Sequence, residues 1–188
     1  MANNNVIKDN ENEKIVNSES NIFEDEEEVI SLSSPSVGCG SSLSLADSQS
    51  ISSLISDAGL YSLCGICSLT FLQLFNDDWD KSFCKNTMQD MIKHFQLPSQ
   101  VFNAMTALMD GEGGDINSFV ALIKEEQQLK SSCVKIVEEL VLFAVKNGSY
   151  DSRMRVLIHH VADILRVPIT LIELYEESLV EFLSKEVI

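Results

Sequence analysis

The stretch from Ala58 to Asn76, "AGLYSLCGICSLTFLQLFN", contains no charged side chain, and it constrains the fold more than any other part of the chain. Its length is close to the ~20 residues that cross the hydrocarbon core of a bilayer. A helix buried on every side at the centre of a soluble bundle has the same appearance. Composition separates the two. Gly59, Ser62, Gly65, Ser68, Thr70 and Gln73 interrupt the run, and Asp57, Asp77 and Asp78 flank it. No Lys/Arg cluster marks a cytoplasmic end. The run therefore reads as a central buried helix.

The segments after it are shorter and amphipathic. "DKSFCKNTMQDMIKHFQ" has a helical period. Pro98 is placed as the first residue of a helix over "PSQVFNAMTALMD", with Phe102, Met105 and Met109 on one face. Asp115 reads as the N-cap of "INSFVALIKEEQQLK", and Ser131 or Ser132 as that of "CVKIVEELVLFAVK". Asn147-Gly148 supplies a stop. A helix over about Tyr150–Val167 and another opened by Pro168 complete the set. No sustained alternation suggests a strand. The expected fold is all-α, a compact bundle of about six helices over residues 54–188. "HFQLPSQVF" and "ILRVPITLI" echo one another as helix, apolar-Pro, helix, too briefly to define a repeat.

Residues 1–53 differ in kind. "NNNVIKDNENEKIVNSES" is polar, "FEDEEEV" is an acid run, and a Ser-rich stretch follows. Apolar residues here have no period, so burial cannot offset the entropy of ordering, and the segment reads as a disordered acidic and Ser-rich tail. It serves as a solubilising head or, with serines beside acids, as a phosphorylated regulatory tail.

The formal net charge of -16 sets 13 Lys+Arg against 29 Asp+Glu. Such a chain is repelled by nucleic acid phosphates and by anionic membrane surfaces, so nucleic acid is excluded as a partner and a protein partner is expected. Five cysteines and no signal peptide point to free thiols in a reducing compartment.

Chemical motifs are few. Cys64-Gly65-Ile66-Cys67 lacks the strand a redox motif follows and the second ligand pair a zinc site needs, so its cysteines read as small buried residues. Asp110, Glu112 and Asp115 of "DGEGGD" lack the order of a calcium loop, and the segment reads as a turn. There is no GxSxG and no HExxH. No catalytic residue, metal ligand or cofactor is assigned, no small-molecule substrate is expected, and the chain reads as non-enzymatic.

"YDSRMRVLIHHVADILRVP", residues 150–168, carries two adjacent histidines among three arginines. On a helix, Met154, Leu157, Ile158, Val161 and Leu165 form one apolar stripe facing the core. His159 and His160 lie off that stripe on different flanks, so they cannot share a metal from a regular helix. His159 is expected to be exposed and paired with Asp163. Arg155, His159 and Arg166 occupy one flank; Arg153 and His160 occupy the other. These cations are expected to meet carboxylates of the chain's own helices, in "EELV" or "YEESLVE".

Tyr150, Asp151, Arg153, Arg155, Val156, Leu157, His160, Val161 and Ala162 form a pattern, Tyr-Asp-x-Arg-x-Arg-Val-Leu-x-x-His-Val-Ala. It resembles the signature of the transmembrane and coiled-coil domain-containing protein 4 family. "YSLCGICSLTFLQLF" with "KSFCKNTMQDMIKHFQLP" is similar to that family's N-terminal helical region, and the likeness covers roughly residues 58–183. The resemblance implies a protein with this helical region first, a membrane-inserting segment next and a domain resembling the α/β-hydrolases last. The present sequence lacks the latter two, so the resemblance implies a fragment or a shortened form. It also implies a membrane-associated protein, with this part soluble on the cytoplasmic side. The expected function is a non-catalytic scaffold or interaction module; the alternative is a module regulating a hydrolase-like domain.

Overall fold

The structure, a computed structural model, describes residues 51–146 and 150–186, with side chains described as far as Val180. Most of the acidic, Ser-rich head and the Asn147-Gly148 stop lie outside the described residues. The described part is all-α: seven helices, α1 Asp57–Leu74, α2 Asp78–His94, α3 Val101–Met109, α4 Ile116–Glu125, α5 Val134–Val145, α6 Ser152–Ile164 and α7 Ile169–Glu186. There is no strand among the described residues. Each of the seven corresponds to one of the segments read as helical, in a bundle expected to have about six.

The uncharged run is α1, and it is the axis of the bundle. Helices α4, α3, α6 and α2 pack around it. Almost every residue from Gly59 to Phe71 is buried, hydroxyls included. Ser56 caps its N-terminus, its hydroxyl accepting from the Gly59 N–H. This is the one described helix long and apolar enough to cross a membrane, with a mean hydropathy of 1.2, and 67% of that window is buried inside the bundle.

Ile51, assigned by composition to the head, belongs to the folded part. It opens a 3₁₀ turn, Ile51–Ser53, and its side chain is 1% exposed. Its N–H donates to Glu139 Oε2 of α5 at 3.1 Å.

Several local expectations hold, and others move. Asp115 caps α4 by accepting from the N–H groups of Asn117 and Ser118. Ser132 Oγ accepts from Val134 N–H at 3.2 Å, although Cys133 occupies the cap position of α5. Helix α6, expected from about Tyr150, begins at Ser152 with Asp151 as its cap, accepting from Arg153 N–H. Pro168 immediately precedes α7, as expected. Pro98 does not open α3: residues 98–101 first make a tight turn, with Val101 N–H bonded to the Pro98 carbonyl at 2.9 Å, and the helix begins at Val101.

The echo between the two Pro-containing corners is structural. Gln96 and Arg166 both adopt positive φ, 57° and 60°. Leu97 N–H bonds the Ile92 carbonyl at 3.0 Å, and Val167 N–H bonds the Ala162 carbonyl at 2.8 Å. Gln96 N–H and Arg166 N–H close on Lys93 and Asp163, both at 3.1 Å. Each corner is a Schellman cap with a left-handed residue, an apolar residue and then proline. The burial pattern repeats with it. Cys84, Met88, Met91, Ile92, Phe95 and Leu97 match Met154, Ile158, Val161, Ala162, Leu165 and Val167 at constant spacing.

Candidate functional site

Helix α6 carries the signature residues, and its phase is the expected one. Met154, Leu157, Ile158, Val161 and Leu165 are all buried. That leaves the polar residues of "YDSRMR" and the histidines on the flanks, where two clusters form.

On one flank, Arg153 bridges two helices. Its Nη1 donates to Asp80 of α2 at 3.2 Å, and its Nη2 to Asp151 at 2.9 Å. The guanidinium carbon sits 3.8 Å from the centroid of the Phe83 ring. Phe83 meets Phe71 and Phe75 edge to face, so the cation caps the aromatic end of the α1–α2 corner. The bonds from the Arg153 side chain hold the Asp151 carboxyl below its usual range against a smaller opposing effect of burial.

On the other flank, three side chains of α6 and its lead-in converge on Glu176 of α7. Tyr150 Oη donates to Glu176 Oε1 at 2.9 Å. Arg155 grips both carboxylate oxygens, Nε to Oε1 at 2.9 Å and Nη2 to Oε2 at 2.9 Å. His159 Nε2 lies 3.5 Å from Oε1. Partial burial pushes the Glu176 carboxyl up, but the bonds from Arg155 and Tyr150 outweigh it and hold the group below the usual range. Burial first, then the bond to Glu176, pushes the Tyr150 phenol well above its usual value.

Both arginines thus meet carboxylates of neighbouring helices, as the sequence suggested, Glu176 belonging to "YEESLVE". Two expectations for His159 are corrected. Its side chain is 23% exposed, half-buried under α7, and it faces Glu176 where a pairing with Asp163 was expected. The cause is α7, whose path over α6 is invisible in the period of α6. His160 is half-buried beside Val156 and Asp163 in a shallow groove and belongs to neither cluster.

One polar cluster escaped the sequence reading. His94 Nε2 and Glu139 Oε1 are 2.6 Å apart, with Glu139 7% exposed and its second oxygen taken by Ile51 N–H. Lys146 Nζ approaches His94 Nδ1 at 3.5 Å. Burial pushes the Glu139 carboxyl up; the bonds from His94 and Ile51 and the nearby charges reverse this and leave it lowered. The signal was present: Glu139 sits among Ile136, Val137, Leu140 and Val141 on the apolar face of α5.

Cys64 and Cys67 lie in the middle of α1, both buried, and desolvation pushes the Cys64 thiol up to about 12. A thiol so buried is protonated and inert at neutral pH. No group of three or more His, Cys, Asp or Glu gathers among the described residues. Among the described residues, the Arg153, Glu176 and Glu139 clusters tie helices together.

No protein-family model and no solved structure matches the chain. It is similar to an uncharacterized membrane protein of Caenorhabditis elegans, 29% identical over 130 residues. The match covers 64% of this chain and 21% of the relative, so the chain spans about a fifth of that protein's length.

Proposed function

We propose that this chain is a non-catalytic helical scaffold and interaction module, the N-terminal part of a membrane protein resembling the transmembrane and coiled-coil domain-containing protein 4 family. One observation carries the reading: Tyr150, Arg153 and Arg155 join α6 to α7 and α2, and Asp151 braces Arg153. A signature most of whose polar groups are engaged in helix packing supports a structural role, although His160 stands outside both clusters. The similarity to a membrane protein supports the setting.

The second reading, a module regulating an α/β-hydrolase-like domain in a longer chain, rests on the same signature. The full-length transcript separates the two. For the first reading, the full-length protein stays in the membrane fraction after carbonate washing, and esterase assays give the same background with and without residues 54–188. An esterase rate that changes on deletion of the module establishes the second. A transcript without any further apolar segment, with all protein in the soluble fraction, overturns the membrane assignment.

A further inference from the structure

Helix α7 differs from the helices it follows. Helix α1 is enclosed on every side, whereas α7 lies against only α5 and α6 to any extent among the described residues. It buries one seam: Ile172 and Leu179 are buried and Tyr175 half-buried. Ile169 and Leu174 face outward, 53% and 50% exposed. Ile172, Tyr175, Glu176 and Leu179 stand at i, i+3, i+4 and i+7. That is the spacing with which an amphipathic helix docks in a groove.

The receiving side is complete without α7. Tyr150 and Arg155 offer the Glu176 carboxylate three donors from α6 and its lead-in, and His159 lies alongside. A planar guanidinium gripping both oxygens, with a phenol on one of them, recognises a carboxylate by geometry as well as charge. An occupant without that carboxylate would leave the half-buried Tyr150 hydroxyl unpaired and forgo the two-pronged bond to Arg155, and this gives the groove its selectivity.

We propose that the α5–α6 face is a helix-binding groove whose carboxylate receptor is Tyr150, Arg155 and His159, filled here by α7 and open to a partner's helix of the same pattern. The partner is an amphipathic acidic helix with apolar, aromatic, Glu and apolar residues at i, i+3, i+4 and i+7. The exchange is competitive: the partner's carboxylate takes the place of Glu176, and α7 is released. This rests on the interaction-module reading and names the kind of partner it would hold.

The test uses the full chain as wild type, as Glu176→Lys and as Leu179→Ala. The probe is a fluorescein-labelled peptide of residues 168–186, with Glu or with Gln at the place of Glu176. Anisotropy reads binding, and amide exchange in α1 reports whether the bundle is intact. The expected result is binding to each variant about tenfold tighter or more than to wild type, with the Gln peptide about tenfold weaker than the Glu peptide. Three results overturn the proposal: equal binding of the two peptides; no peptide binding to either variant while α1 stays protected; and loss of α1 protection in both variants, which makes α7 part of the core. Each leaves the scaffold reading standing, because membrane fractionation and the esterase comparison test that separately.

Discussion

Glu176 accepts from Tyr150 and Arg155, and Glu139 accepts from Ile51 and is paired with His94. Both carboxyls are held below their ordinary value of 4.5 by these bonds, against the opposing effect of burial. A lowered folded-state pKa favours the ionised form in the native state. The stability it contributes is present above pH ~4.5 and is lost as pH falls through the folded values. Thermal unfolding followed from pH 7 to pH 3 should therefore show a drop beginning near pH 4.5. Glu176→Gln should lower stability at pH 7 by about 1–2 kcal/mol and flatten that drop. A variant whose pH profile parallels wild type would show that Glu176 is not a source of the acid sensitivity. A second prediction lies inside α1, where the Ser68 hydroxyl is fully buried without a hydrogen-bond partner. Ser68→Ala removes that desolvated group and should raise stability by up to about 1 kcal/mol in chemical denaturation. Residue-level features were unevenly legible. The apolar stripe of α6 followed from its period. The half-burial of His159 did not, because phase fixes where a side chain points on its own helix and not which neighbour crosses above it. Glu139 was legible in principle, as an acid on an apolar helix face.

The two corners after α2 and α6 use one device. In each, a non-glycine residue takes a left-handed conformation so that an apolar residue can fold back before proline starts the next segment. Gln96 and Arg166 hold conformations that cost an L-residue roughly 1–2 kcal/mol and glycine almost nothing. Gln96→Gly and Arg166→Gly should each stabilise the fold, by about 0.5–1 kcal/mol after allowing for the greater freedom of glycine in the unfolded chain. Urea unfolding of the two variants checks this. A loss of stability in both would mean that the Gln96 and Arg166 side chains contribute more than their backbones cost. The sequence displayed these corners as an apolar-Pro echo but gave no glycine to announce a helix end. That is why Pro98 was placed inside α3, when it lies in the turn before it. Capping by Asp115 was legible because the side chain that makes the bond is the one whose identity is read.

For the whole molecule, the central question was whether the uncharged run lies in lipid or in protein, and length alone leaves that open. In the bundle, 67% of the run is buried against protein, and it packs closely at its small residues. At Gly65, in the middle of α1, an added Cβ would stand 2.8 Å from the Phe119 ring of α4, so the glycine is what lets α4 lie so near. The small residues that interrupt the run were visible in the sequence; the aromatic ring seated on one of them was not, since it comes from a distant helix. This sets two effects of opposite sign against each other. Gly→Ala inside a helix gains about 1 kcal/mol in propensity. Overpacking a filled interior costs about 1–3 kcal/mol. Phe119 is half-buried and packs against Tyr61, ring centroids 6.3 Å apart, so withdrawing from the new methyl would disturb that contact. Overpacking should win, and Gly65→Ala should lower stability by about 1–2 kcal/mol in urea unfolding. Adding Phe119→Leu to that variant should recover much of the loss, because the shorter side chain opens the space the new methyl needs, and the pair should be non-additive by more than about 0.5 kcal/mol. Additive losses, or a Gly65→Ala variant more stable than wild type, would mean that α4 does not press on α1 at this point and that another contact sets the approach of the two helices.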